Sequence, residues 1–212
     1  MGESQPKQTC RRSGRISRTG LILTFALVAA AGGVGAWIYH DSRVPKRFGT
    51  VEDGRLYRSG EITPRQLKHL AETYGIQTVL SLLDPEHPRS KIEKAAAEEL
   101  GLLWVCVPLP GDGASTAEQR KHIREIVLDD SLGPTLVHCA AGANRTGLAV
   151  GMYRIHHDGW TTPRVLEEMR TYDFEDEPKH ENLRAALEAE YAEAHPGQGA
   201  TSKPTSAPNG TR

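Results

Sequence analysis

The chain has 212 residues, 26 Lys and Arg against 27 Asp and Glu, and a formal net charge of -1; this length holds one compact domain with tails, and the balanced charge excludes a nucleic-acid surface built on excess positive charge. Three cysteines, Cys10, Cys106 and Cys139, are too few and too scattered for a disulfide framework or a Cys-based zinc site, and the nine histidines show no H-E-x-x-H or comparable spacing. No metal and no nucleic-acid partner are expected, and the redox compartment stays open.

Residues 1–20 form a polar tail carrying Lys7, Arg11, Arg12, Arg15 and Arg18, followed by residues 21–39 without a charge. Nineteen residues at helical rise span roughly 28 Å, the hydrocarbon thickness of a bilayer, and Trp37 and Tyr39 stand where interfacial aromatics anchor a span. A single membrane-spanning anchor is the leading reading. A cleaved signal peptide is its rival, since Ala29-Ala30-Ala31 offers small residues after a short apolar stretch. Five basic residues before the span, against Arg43, Lys46 and Arg47 after it, favour the N-terminus in the cytoplasm and the domain on the non-cytoplasmic side, with the basic C-terminal flank pulling the other way. Arg11-Arg12 lacks the apolar pair of a twin-arginine export signal. Residues 40–47 read as a linker.

From 48 to 195 short β-rich runs alternate with amphipathic helical stretches, which predicts an α/β domain with a mainly parallel central sheet flanked by helices. Strands are expected at 55–58, 76–83, 102–107 and 135–138. Helices are expected from Thr63-Pro64 to Tyr74, closed by Gly75, then at 91–100, closed by Gly101, 116–128, 146–157, 162–172 and 178–193. A Gly/Pro loop fills 108–115. The Gly/Ser/Thr/Pro-rich residues 196–212 read as a disordered tail.

The strand at 135–138 runs straight into His138-Cys139-Ala140-Ala141-Gly142-Ala143-Asn144-Arg145-Thr146-Gly147, with five residues between Cys and Arg and a helix beyond. A loop that closes from strand to helix turns successive backbone N–H groups inward, and the helix N-terminus adds unpaired donors, so a tetrahedral oxyanion has a cradle. The same field favours thiolate at Cys139. Arg145 offers a planar fork to two phosphate oxygens, a geometry Lys lacks. Ala140, Ala141, Gly142 and Ala143 leave room for the phosphate. Thr146 places a hydroxyl where it donates to the sulfur. His138 is expected behind the loop with its ring bonded to nearby backbone, and Asn144 to shape the loop. Arg58 either approaches this pocket or pairs within the core, and Cys106 is expected to serve packing. Without the neighbouring groups, a buried cysteine beside a glycine turn would be the plain alternative.

His138 to Gly147 resembles the HCxxGxxRTG signature of cysteine-based protein tyrosine phosphatases. Residues 54–60 (GRLYRSG) and 75–82 (GIQTVLSL) resemble the opening of bacterial dual-specificity phosphatases related to the plant and fungal atypical group. The resemblance spans roughly 48–190, so the domain at 48–195 is expected to be a phosphatase domain. It implies a cofactor-free, two-step mechanism through a phosphocysteine, acting on a phosphorylated protein or small phosphate ester. It also implies an Asp on a mobile upstream loop as proton donor to the leaving group. Asp112, between Gly111 and Gly113 and 27 residues before Cys139, is the candidate; an ordinary turn aspartate is the competing reading. Glu118 is a distant second, and Asp129 and Asp130 sit at the wrong end of the next helix. Some relatives act on inositol pyrophosphates using basic residues inside the loop. Alanine at 140, 141 and 143 removes that charge here and points to phosphotyrosine or phosphoserine/threonine monoesters. The alternatives are an inositol phosphate or pyrophosphate phosphatase and a phosphate-binding pseudophosphatase that serves as an interaction module.

Overall fold

A computed structural model describes residues 27–29, 32–33 and 43–197. The chain divides into two units, Met1–Asp41 and Ser42–Arg212. In the first, the described residues 27–29 and 32–33 are helical, and the rest of the expected span at 21–39 lies outside the described residues, as do the basic tail at 1–20 and the tail from 198 onward. No helix among the described residues is long and apolar enough to cross a membrane.

The second unit is built on five strands, β1 (Gly49–Glu52), β2 (Leu56–Ser59), β3 (Thr78–Ser81), β4 (Leu103–Cys106) and β5 (Thr135–His138), in the order β1-β2-β5-β3-β4. β2, β5, β3 and β4 pair in parallel, while β1 runs antiparallel to β2 as an edge, so the sheet is mixed. β1 (GTVE) escapes the sequence reading because it has no apolar alternation, Val51 being its one buried side chain. Its one local signal is the Asp53-Gly54 turn that follows, where Gly54 takes φ 71°.

Helices α1 (Pro64–Tyr74) and α2 (Pro88–Glu99) cover one face; α3 (Ala117–Leu128), α4 (Asn144–His156), α5 (Thr162–Thr171) and α6 (Glu181–Ala194) cover the other. Strand alternation sorts the core. Leu56, Leu80 and Val137 belong to the α4 side, while their neighbours Tyr57, Val79 and Leu136 belong to the α1 side. α2 starts three residues before its expected position, because Pro88 occupies the first turn with His87 accepting the Arg89 N–H as cap. The last expected helix divides into a 3-10 turn, Pro178–His180, and α6.

α4 is buried nearly all round. A Cβ on Gly147 would come 2.8 Å from Met169 Cε, and one on Gly151 2.7 Å from Leu187 and Val165 side chains, so these glycines admit α5 and α6 closely. That packing offsets a helix-propensity cost of about 1 kcal/mol per glycine. β5 lies between β2 and β3, and its C-terminal end is level with Ser59 and Ser81. The chain leaves β2 and β3 for α1 and α2 on one face and leaves β5 for α4 on the other, which opens a crevice beyond the strand ends.

Candidate active site

The loop from His138 to Gly147 fills this crevice. Cys139, at its base, is 1% exposed, and its Sγ accepts the Gly142 N–H at 3.2 Å. Gly142 takes φ 79°, and a Cβ there would lie 2.6 Å from Gly60 N and 2.8 Å from Ser59 C, so strain and space both require glycine. The first helical turn of α4 has no side-chain cap, Ala143 holding the N-cap position, whereas α1 and α3 carry complete capping boxes from Thr63 with Gln66 and Thr116 with Gln119. An uncapped helix start facing a cavity leaves its amides for a guest anion.

Burial pushes the Cys139 thiol up, but the Thr146 hydroxyl and amide, the Arg145 charge and the Gly142 amide pull it down by more, leaving it below its ordinary value. Thr146 is fully buried and its hydroxyl also reaches the Ser59 carbonyl at 3.3 Å. Arg145 sets Nη1 against the carbonyls of Leu82 and Leu109, both at 3.1 Å, which fixes its guanidinium between the loops that follow β3 and β4.

Cys139, Ala141, Ala143, Asn144 and Arg145 line a cavity whose outer wall comes from elsewhere: Arg47, Gly111, and Asp173, Glu175, Lys179 and His180 between α5 and α6. The sequence reading misses Arg47 and the 173–180 residues, because no local pattern marks them. Asn144 Nδ2 donates to His180 Nε2 at 3.0 Å, and His180 Nδ1–H donates to the Glu175 carbonyl at 2.7 Å. Asn144 therefore ties the loop to that wall.

Asp112 is exposed on the loop whose Gly111 lines the cavity, and its carboxylate accepts the Ala114 N–H at 3.0 Å in a local turn. His138 differs from expectation: its Nε2 meets Glu93 Oε1 at 2.9 Å instead of backbone, because α2 places that buried carboxylate behind β5, where Trp104 Nε1 donates to the same oxygen. Arg58 is 1% exposed, and its Nη2 donates to the Gly142 carbonyl at 2.7 Å, so it approaches the loop from behind. Glu118 lines a separate cavity beside Val107. Asp129 caps Ser131, and Asp130 pairs with Arg55 at 2.8 Å. Cys106, on the edge strand, donates to the Leu83 carbonyl; burial, with Glu93 and Asp84 nearby, pushes its thiol up to about 11.

The chain is 33% identical over 122 residues to the dual specificity protein phosphatase TpbA of Pseudomonas aeruginosa, covering 58% of this chain and 53% of that one. It thus spans about half the length of that relative. It is 29% identical over 132 residues to the inositol diphosphatase DSP3 of Arabidopsis thaliana, covering 58% and 61% of the two chains. Among solved structures, P. aeruginosa TpbA in a Cys-to-Ser form with pTyr aligns with a TM-score of 0.51 at 27% identity, over 66% of this chain and 85% of that one. The core catalytic domain of the S. cerevisiae PP-IP phosphatase SIW14 aligns with a TM-score of 0.59 at 24% identity, over 68% and 85%, a likeness of fold. A family profile described as the tyrosine phosphatase family matches residues 43–194, and on that match the chain belongs to the tyrosine phosphatase family.

Proposed function

We propose that this chain hydrolyses phosphate monoesters through a phosphocysteine intermediate. The observation that carries the reading is the buried Cys139 thiol held below its ordinary value at the floor of an uncapped, amide-lined cradle. In the first step the Cys139 thiolate attacks phosphorus while the bond to the leaving oxygen breaks, and that oxygen takes the proton of the Asp112 carboxyl. Asp112 must first leave its turn with Ala114, a movement that Gly111 and Gly113 permit. In the second step water attacks phosphorus, gives a proton to the Asp112 carboxylate and releases inorganic phosphate as the P–S bond breaks. Thr146 donates to the departing sulfur, and Arg145 holds the equatorial oxygens through both steps.

The cavity's charges favour a monoester. Arg47, Arg145 and Lys179 face Asp173 and Glu175, an excess of one positive charge, which suits a single phosphate better than a polyanion. The substrate is then a phosphorylated protein or small phosphate ester. Metal-free hydrolysis of p-nitrophenyl phosphate by the full chain, lost by at least about 1000-fold in Cys139→Ser, is the expected result. Comparable hydrolysis of an inositol pyrophosphate and a phosphopeptide would overturn the monoester preference. A folded wild type that binds vanadate without turnover would instead indicate a pseudophosphatase.

The N-terminal segment is proposed as a single membrane anchor with the catalytic domain on the non-cytoplasmic side. Support comes from the uncharged run at 21–39 and from Leu27 and Val28, helical and 70% and 65% exposed. Protease added to intact cells should remove the domain; protection of the domain, or release of a shorter soluble chain, counts against this topology.

A further inference from the structure

Three consecutive carbonyls of the phosphate-binding loop are gripped from outside. Ala140 O accepts the Glu61 N–H at 3.2 Å, Ala141 O accepts Arg47 Nη1 at 2.7 Å, and Gly142 O accepts Arg58 Nη2 at 2.7 Å. In a planar trans peptide the C=O and the next residue's N–H point in opposite directions. Holding Ala141 O outward therefore turns the Gly142 N–H inward, and it is this N–H that meets Cys139 Sγ at 3.2 Å. Holding Gly142 O outward turns the Ala143 N–H inward by the same constraint.

Both guanidiniums stand in unusual surroundings. Arg58 is fully buried, packed with its carbon 3.6 Å from the Tyr172 ring centroid, and its Nε and Nη1 meet no acceptor among the described residues. A buried cation with one carbonyl bond and one ring face in contact, and only the more distant charges of Glu168 and Cys139 to favour it, is costly, and an apolar side chain would serve packing better. Burial lowers it only to about 10, so it stays charged at neutral pH. Arg47 adopts φ 51°, strained for a residue with a Cβ, and its Nε and Nη2 are fixed by Asp173 Oδ2 at 2.8 Å while Nη1 holds the loop.

We infer that Arg47 and Arg58 are positioning residues which align the inward amides of the phosphate-binding loop by gripping, from outside the signature, the carbonyls of Ala141 and Gly142. The inference rests on the phosphate-ester reading of this site.

Charged groups reach the thiol's surroundings from several elements: Arg145 from α4, Arg58 from β2, Arg47 from the segment before β1, and Asp173, Glu175 and Lys179 from the α5–α6 connection. His180 lines the same wall, and His138 on β5 is paired with Glu93 behind the strand. Of these charged side chains, Arg47 and Arg58 hold carbonyls of the 139–145 loop.

The test compares wild type with Arg47→Gln, Arg47→Lys, Arg58→Met and Arg58→Lys, reading the pH midpoint of Cys139 alkylation by iodoacetamide and the dissociation constant of vanadate. Neither readout needs turnover, so a wild type that hydrolyses nothing would end the phosphatase reading while leaving this comparison intact. Arg47→Gln is expected to raise the alkylation midpoint by about half a pH unit and, like Arg58→Met, to weaken vanadate about tenfold. The lysine variants keep the charge without the fork and are expected to stay impaired. Arg47 is part-exposed, so its variants test the idea even where Arg58→Met does not fold. Midpoints and vanadate affinities within twofold of wild type in folded Arg47→Gln, or full restoration by lysine at both positions, would overturn the positioning role.

Discussion

Two regions of this protein gather basic side chains, and they use them in opposite ways. Behind α4, Glu190 of α6, its side chain 3% exposed, accepts Arg120 Nε at 2.9 Å, Arg124 Nη1 at 2.6 Å and His156 Nε2 at 3.1 Å, and Arg124 continues to Glu193. Each of these arginines is answered by a carboxylate, and the contacts join three helices. Around the cradle, Arg145 and Arg58 bond neutral carbonyls, and Arg47 divides its fork between a carbonyl and Asp173. On the proposed reading, a carboxylate in the cradle would occupy the place of the phosphate. The comparison teaches that the same residue type locks the fold where its charge is cancelled, and prepares chemistry where its charge is left for a guest.

The sharpest way to break this comparison is Arg145→Lys. Lysine keeps the charge and loses the fork, so the turnover number for p-nitrophenyl phosphate should fall by about 1000-fold, while urea unfolding should change by less than about 1 kcal/mol. A loss of stability that accounts for the loss of rate would place Arg145 with the structural arginines. Glu190→Ala should do the reverse. It leaves Arg120, Arg124 and His156 without their shared carboxylate, and should cost about 3 kcal/mol of unfolding free energy. The turnover number measured well below the melting midpoint should stay within twofold of wild type. A marked fall in turnover in the folded variant would mean that the Glu190 cluster reaches the site through α4.

How much of this could be read beforehand depends on how local the cause is. Thr63-Pro64, with proline at the first helical position, announces the start of α1 from sequence alone, and the structure adds a capping box between Thr63 and Gln66 whose bonds lie within four residues. The cradle is legible for the same reason: Cys139, Gly142, Arg145 and Thr146 lie within eight positions, between a strand and a helix that their own periodicity announces. Asp112 was legible as a loop residue. Its present use in a turn with Ala114 was not, because side-chain choice in a loop depends on the groups around it.

An α/β domain and a strand–loop–helix segment carrying Cys139 and Arg145 five residues apart are thus legible from spacing along the chain. What surrounds that loop follows from tertiary contacts. The strand order β1-β2-β5-β3-β4 brings Arg58 to Gly142 across 84 positions, Arg47 to Ala141 across 94, and Glu93 to His138 across 45. Parallel pairing sets such contacts through crossovers and register, and neither leaves a periodic trace in the segments that finally touch.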